Sequence, residues 1–300
     1  MTQRPKYFDD IIGQEKVKEA LLIAIKSAKA RKDAMGHTLI DAPPGLGKTT
    51  FSIAIGNELG VKIKQVLGGN IKSFKDILPT ITNMKENEVL FIDEIHRLSK
   101  KTTESLYTVL EDFRIDLPSE NEKGEKEILS IDLPKFTVIG ATTEVGKLPQ
   151  PFRDRFKLKF SLELYDIISI AKIIKYNCNN LPISMTDEAI IRLAKASRGT
   201  PRIANALLEW VRDYSIAKCL SSVTADDLKA SLEMRGIGMD GSTENDRRYV
   251  RLLKKVGKPV GISTLESALN IDRETIESVI EPFLLRLNII CKSSKGRMAL

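Results

Sequence analysis

The run Ala42-Pro43-Pro44-Gly45-Leu46-Gly47-Lys48-Thr49-Thr50 lies between a short strand-like stretch at 37–41 and an apolar helical pattern beginning at Phe51. A strand, a glycine-rich turn closing on Gly-Lys-Thr and a helix together make a phosphate cradle. Loop N–H groups and the positive helix N-terminus surround the anion. In such a cradle Lys48 reaches the β and γ oxygens and Thr49 offers a hydroxyl to Mg²⁺, while Gly45, Gly47 and Thr50 complete the nucleotide contacts. The pattern asks for glycine first, where this chain has Ala42. That position starts the turn without touching the γ-phosphate, so the small side chain is expected to fit. Further on, the apolar run Val89-Leu90-Phe91-Ile92 ends in Asp93-Glu94. Two carboxylates at the C-terminal edge of a sheet sit where ligands bind in open α/β folds. Asp93 is expected to hold Mg²⁺ through its water shell, and Glu94 to polarise the water that attacks the γ-phosphate. Binding alone needs only the first carboxylate; the second argues for hydrolysis. The plainer alternatives are a Gly/Pro-rich turn and a surface carboxylate pair.

The elements that must position these groups alternate between helix and strand through about residue 160. Residues 14–32 read as a basic amphipathic helix, with Val17, Leu21, Ala24, Ile25 and Ala28 on one face. Val89-Leu90-Phe91-Ile92 and 136–141 are short apolar runs suited to buried parallel strands. Alternation around a phosphate loop predicts an α/β, doubly wound parallel core. From about 164 the strand signals stop, and 167–178, 186–196, 201–218 and 224–235 read as helices, with Thr186 and Thr224 as N-caps. After the glycine-broken segment 236–242, helices are expected at 245–256, 263–269 and 273–287, followed by a hairpin pairing 289–291 with 298–300. Three helices and a hairpin outline a winged helix-turn-helix. The domain boundaries expected from this pass are 1–163, 164–237 and 238–300.

Composition narrows the partners. A net charge of +7 with 29% charged residues favours an acidic partner, nucleic acid before others. Cys178, Cys219 and Cys291 are scattered, and with His37 and His96 they form no metal-ligand spacing. A cytoplasmic protein with reduced thiols is expected, without signal peptide or membrane span.

Four segments carry a family resemblance: Ile92-Asp93-Glu94-Ile95-His96-Arg97-Leu98, Gly140-Ala141-Thr142-Thr143, Arg153-Asp154-Arg155-Phe156 and Arg198-Gly199-Thr200-Pro201-Arg202-Ile203-Ala204-Asn205. Together they resemble the RuvB family, bacterial AAA+ motors that drive branch migration of Holliday junctions. The likeness runs from Arg4 to Arg297. It implies an AAA+ core, a helical lid and a DNA-binding winged helix, working as a ring, expected as a hexamer, on duplex DNA at four-way junctions with ATP and Mg²⁺. It also implies roles. Thr143, or its neighbour Thr142, matches a sensor of the γ-phosphate. Arg155, with Arg153 as rival, matches an arginine finger supplied to the neighbouring subunit, and one of the two arginines could instead pair with Asp154. Arg202 matches a second sensor on the lid. Gln3, Arg4 and Tyr165 match residues enclosing the adenosine end, and Glu111-Asp112-Phe113 a segment lining the same pocket.

Two places depart from the family pattern. A hairpin is expected at about 114–136, with Ile115-Asp116-Leu117 pairing towards Leu129-Ser130-Ile131, and its tip at 119–127 is polar where the family docks a RuvA partner through an apolar tip. In the wing, where the family uses two arginines, this chain has Lys292 and Arg297 with Lys295 between them, so phosphate contact is expected without one bidentate fork. Two rival readings remain. A clamp loader or replication initiator would share the core without the GTPRIAN run and basic wing together. A nucleotide-gated DNA-binding scaffold would not need Lys48, Glu94 and Arg155 intact.

Overall fold

The structure, a computed structural model, describes residues 4–120 and 126–300, with the side chains of 117–120, 126 and 127 left aside. The chain forms two compact units, Gln3–Tyr165 and Asp166–Leu300.

The first unit is built on a five-stranded parallel sheet. Its strands are β1 (Thr38–Asp41), β2 (Ile63–Leu67), β3 (Val89–Asp93), β6 (Thr137–Thr142) and β7 (Leu158–Ser161), in the order β2-β3-β6-β1-β7. Burial follows that order. The central strand β6 is buried at every position and β3 at all but its last residue, whereas the outer β2 and β7 alternate. A strand covered on both faces reads as a continuous apolar run, and an edge strand does not. That is why 89–92 and 136–141 stand out in the sequence and the two edge strands do not. Successive side chains of β3 enter opposite layers: Leu90 and Ile92 join one core cluster, Val89 and Phe91 the other. The helices α1 (Glu15–Arg31), α2 (Lys48–Leu59), α3 (Phe74–Thr82), α4 (Lys100–Glu111) and α5 (Gln150–Asp154) belong to this unit. The two ends of α1 are left-handed, at Gln14 and Lys32. Between α4 and β6 runs the hairpin β4 (Arg114–Glu120) and β5 (Lys126–Asp132), in the expected register: Ile115 faces Ile131 and Leu117 faces Leu129.

The second unit begins with α6 (Ile167–Cys178), α7 (Asp187–Ala196), α8 (Pro201–Ala217) and α9 (Ala225–Glu233). The side chains of Thr186 and Thr224 accept from Ala189 N and Asp227 N, as capping residues should, and Asp166 does the same for Ser169 N. It continues with α10 (Glu244–Val256), α11 (Ile262–Leu269), and a helical run made of α12 (Arg273–Thr275), a π-turn (Ile276–Ile280) and α13 (Glu281–Arg286). The sequence reads 273–287 as one helix; the π-turn comes just before Pro282, which has no N–H to give and crowds the preceding carbonyls. The wing is β8 (Ile290–Ser293) with β9 (Gly296–Ala299), and Arg297 adds an antiparallel bridge to Val260. Tyr249, Leu253, Leu265, Ile276, Ile280 and Ile290 centre its core.

Candidate functional site

Parallel order brings the sequence-separated motifs to one edge. Strand β6 lies between β1 and β3, so the C-terminal ends of all three are neighbours. The phosphate loop leaves β1, the Asp93-Glu94 pair closes β3, and Thr142-Thr143 closes β6. Ala42 donates its N–H to Thr142 O at 3.1 Å and buries its methyl in the core, so the departure from glycine costs nothing here. Gly45 and Gly47 take left-handed backbone (φ 85 and 100), which turns the loop into α2. Lys48 Nζ donates to the carbonyls of Ala42 and Pro43 at 2.7 and 3.2 Å, and Thr50 sits half-buried in the first turn of α2. Thr49 Oγ1 lies 3.3 Å from Asp93 Oδ2. A hydroxyl and a carboxylate converging on one point are a hard-oxygen pair of the kind Mg²⁺ takes with its waters and substrate phosphates, so these residues fit the ion. Burial pushes the Asp41 carboxyl upward, and Lys48 pulls it partly back.

Glu94 is in the left-handed region (φ 51), and its carboxylate meets Arg97 Nε at 3.1 Å. Gly68, at the end of β2, packs directly on this segment: a Cβ there would come within 2.4 Å of Glu94 O. The sequence offers no signal for that closeness, because Gly68 opens the turn after β2, an edge strand without a continuous apolar run. His96 was missed in the same way. Its Nδ1 lies 3.0 Å from Thr142 Oγ1 and its Nε2 3.2 Å from Glu144. Thr142 is fully buried, and its hydroxyl also accepts from Glu144 N at 2.9 Å. Thr143, partly exposed, is the neighbour whose side chain faces fewer internal demands.

Arg155 sits elsewhere. It ends α5 just before β7, whose first residue pairs with the start of β1, so it lies at the sheet edge opposite the phosphate loop. Four residues of β1 at about 3.3 Å each separate the two edges. There its guanidinium donates to Pro151 O at 2.6 Å, meets Glu111 at 2.9 Å and stacks over Tyr107 at 4.2 Å. Arg153 instead donates to Gln150 at 2.5 Å. Neither arginine pairs with Asp154 among the described residues; Gln150 and Lys159 do. Glu111-Asp112-Phe113 lies on the same side: Phe113 rests on the rings of His37 and Phe136 at the strand-start edge. It shares the face of Arg155.

Tyr165 packs against the core cluster that includes Phe8 and Leu21, and burial pushes its hydroxyl up to about 12. Arg4 is exposed, and Gln3 lies outside the described residues. In the second unit Arg202 is exposed on the first turn of α8, without a side-chain partner among the described residues. In the wing the three basic residues differ in their surroundings. Arg297 is only 7% exposed: Nε donates to Glu281 at 2.7 Å and Nη2 to Glu277 at 2.8 Å. It therefore holds the wing to the helix beneath it. Lys292 is exposed but leans on the same carboxylates at 3.3 and 3.6 Å, whereas Lys295 stands exposed at the hairpin turn. On the hairpin of the first unit, residues 121–125 of the polar tip lie outside the described residues, and the apolar surface is on β5, where Ile128 and Leu129 are 73% and 53% exposed. No cluster of His, Cys, Asp and Glu fit for a metal, and no helix long and apolar enough to cross a membrane, occurs among the described residues.

Known proteins match along the same lines. Family models described as the Holliday junction DNA helicase RuvB P-loop domain, the RuvB AAA lid domain and the RuvB C-terminal winged helix domain match residues 3–162, 165–238 and 239–299. A Holliday junction branch migration complex subunit RuvB from Campylobacter fetus subsp. fetus is 43% identical over 298 residues, covering 99% of this chain and 87% of the relative. One from Prochlorococcus marinus is 42% identical, covering 98% and 83%. The solved structure of the Thermotoga maritima RuvB Holliday junction branch migration motor superposes with a TM-score of 0.86 at 35% identity, over 99% of this chain and 95% of that one.

Proposed function

The chain belongs to the RuvB family of AAA+ ATPases, ATP-driven motors of Holliday junction branch migration in recombination and repair, and from that premise we propose how its own residues divide the work. ATP lies in the loop Ala42–Thr50, with Lys48 on the β and γ oxygens. Mg²⁺, when held by Thr49 and Asp93, offsets charge on those phosphates. Glu94 orients the attacking water and takes its proton, and Thr143 supplies the sensing hydroxyl because that of Thr142 is engaged by His96 and Glu144. Arg155 stabilises the charge developing at the γ-phosphate of a neighbouring subunit, with Glu111-Asp112-Phe113 lining that neighbour's pocket. Its resting bond to Glu111 is half in water, worth about 1 kcal/mol at most, and yields easily to a triphosphate.

One observation carries the shared site: Arg155 stands at the strand-start edge of a sheet whose phosphate loop, Asp93 and Thr143 gather at the strand-end edge. A single copy cannot close its own site, which supports a ring, and a hexamer around duplex DNA is the assembly proposed. Arg202 reads the nucleotide for the lid. Lys295, with Lys292, meets the DNA backbone. A RuvA-like partner docks on the exposed Ile128 and Leu129 of β5 instead of on an apolar tip. The test is to mix Arg155→Ala and Glu94→Gln subunits and follow ATP turnover on duplex DNA. Mixed rings should recover activity beyond either variant alone; no recovery at any ratio overturns the shared site.

A further inference from the structure

The turn between α7 and α8 carries a half-buried arginine, Arg198, that reaches into the winged helix. Arg198 and Gly199 are both left-handed, at φ 57 and 73. A residue with a Cβ is strained there. What it gains is aim. From this turn the Arg198 guanidinium enters the winged helix: Nε and Nη2 donate to Gly241 O at 2.9 and 2.6 Å, and Nη2 to Asp246 Oδ2 at 2.5 Å. Its flat face lies 3.8 Å from the ring centre of Phe283 in α13. Arg198 thus touches the segment before α10, α10 itself and α13 at once.

The surroundings leave little play. Asp246 is 1% exposed, and its Oδ2 also accepts from Thr243 N and Oγ1, so this one carboxylate both caps α10 and receives Arg198. Gly241 (φ 84) lies so close to the end of α7 that a Cβ there would come within 2.6 Å of Ala196 O. On the other side Arg247 Nη2 donates to Gly236 O at 2.8 Å and Nη1 to Ser242 O at 3.0 Å, fastening the connecting segment at both ends. A connector held this way is not a hinge.

Arg198 is also joined stiffly to Arg202. Thr200 N donates to Ser197 O at 3.1 Å and Ala204 N to Thr200 O at 3.0 Å, so the turn and the first coil of α8 form one hydrogen-bonded piece. We infer that Arg198 is the coupling residue of this motor: it locks the winged helix to the turn that carries Arg202, so that lid and winged helix move as one body when the nucleotide changes. This rests on the proposed reading of Arg202 as the lid's nucleotide sensor. Arg198 itself acts through position and takes no part in binding or chemistry.

The experiment compares ATP turnover on duplex DNA, DNA affinity and branch migration of a synthetic four-way junction for full-length wild type, Arg198→Lys and Arg198→Ala. Both variants should hydrolyse ATP and hold DNA as the wild type does. Migration per ATP consumed should fall about tenfold or more, the size of a typical coupling between sites. Lysine should not rescue it, because it loses the fork and the stacking face. Alanine leaves the Asp246 charge buried, so the double variant Arg198→Ala with Asp246→Asn serves where the single one does not fold. Spin labels at Lys229→Cys and Lys258→Cys, in a background without the native cysteines, supply a second readout. Their distance distribution should be narrow and insensitive to nucleotide in wild type, and broad in the variants. Unchanged migration per ATP, or turnover lost in step with migration, overturns the inference. Arg202→Ala separates the two claims: unaltered ATP turnover there refutes the sensor reading, whatever the Arg198 variants do.

Discussion

Arg297→Ala should loosen the wing before it weakens DNA binding. The guanidinium donates to Glu281 at 2.7 Å and to Glu277 at 2.8 Å, and without it Glu281, 2% exposed, keeps Tyr249 Oη at 3.0 Å and Lys292 Nζ at 3.3 Å. Removing one partner of a deeply buried pair costs roughly 3–5 kcal/mol. Here the Lys292 side chain, 45% exposed, stays beside the carboxylate and the site lies close to the surface. A loss of about 2 kcal/mol is therefore expected. At a factor of ten for each 1.4 kcal/mol, that is roughly 30-fold faster hydrogen exchange where exchange follows wing opening. The amides to watch are those of Val260 and Arg297, which bond each other's carbonyls at 2.8 and 2.9 Å. Adding Glu281→Gln removes the stranded charge and should restore most of the protection. Lys295→Ala should do the opposite: leave exchange alone and lower the salt slope of DNA binding by about one. The reasoning is refuted if Arg297→Ala leaves Val260 exchange unchanged while the salt slope falls.

Acid should weaken the first unit through His37. Val138 N donates to its Nδ1 at 2.9 Å and its Nε2 bonds Leu110 O, so the ring is neutral. Burial lowers it to about 4, with the Leu110 bond opposing and Lys157 adding to the fall. The unfolded chain takes the proton first, near its ordinary value of about 6.5, so stability should fall as pH drops through that value and level off near 4, a loss of about 3 kcal/mol at most. Thermal melts of wild type and His37→Gln across that window check it; parallel curves would refute it. Thr142→Val should lower the melting temperature, because it strips His96 and Glu144 N of a buried partner, at roughly 1–3 kcal/mol. Thr143→Val should instead lower ATP turnover with the melt unchanged, and the reverse pattern would exchange their roles. Glu94→Gln should keep ATP binding and lose turnover, read by nucleotide titration beside a phosphate-release assay.

The central strands, the lid helices and their caps were legible because each is a local pattern: apolar runs for strands buried on both faces, threonines ahead of periodic helices. The edge strands β2 and β7 were not, since half their side chains face outward. The hairpin register was legible from alternation, while its apolar surface on β5 was obscured by the polar tip beside it in sequence.

Sequence alone determined that a triphosphate is bound and hydrolysed. Lys48, Thr49, Asp93 and Glu94 are proposed for that work on residue type and fixed local spacing, and a loop between strand and helix has few ways to fold. Tertiary structure decided which groups are spent and which are available. Thr142 offers the same hydroxyl in sequence as Thr143, and Arg297 a positive charge as Lys295 does, but burial among His96, Glu144, Glu277 and Glu281 has already used their hydrogen bonds. It also decided that Arg155 and the phosphate loop stand at opposite ends of one sheet. Strand direction, a long-range property, sets that separation, and no local pattern encodes it.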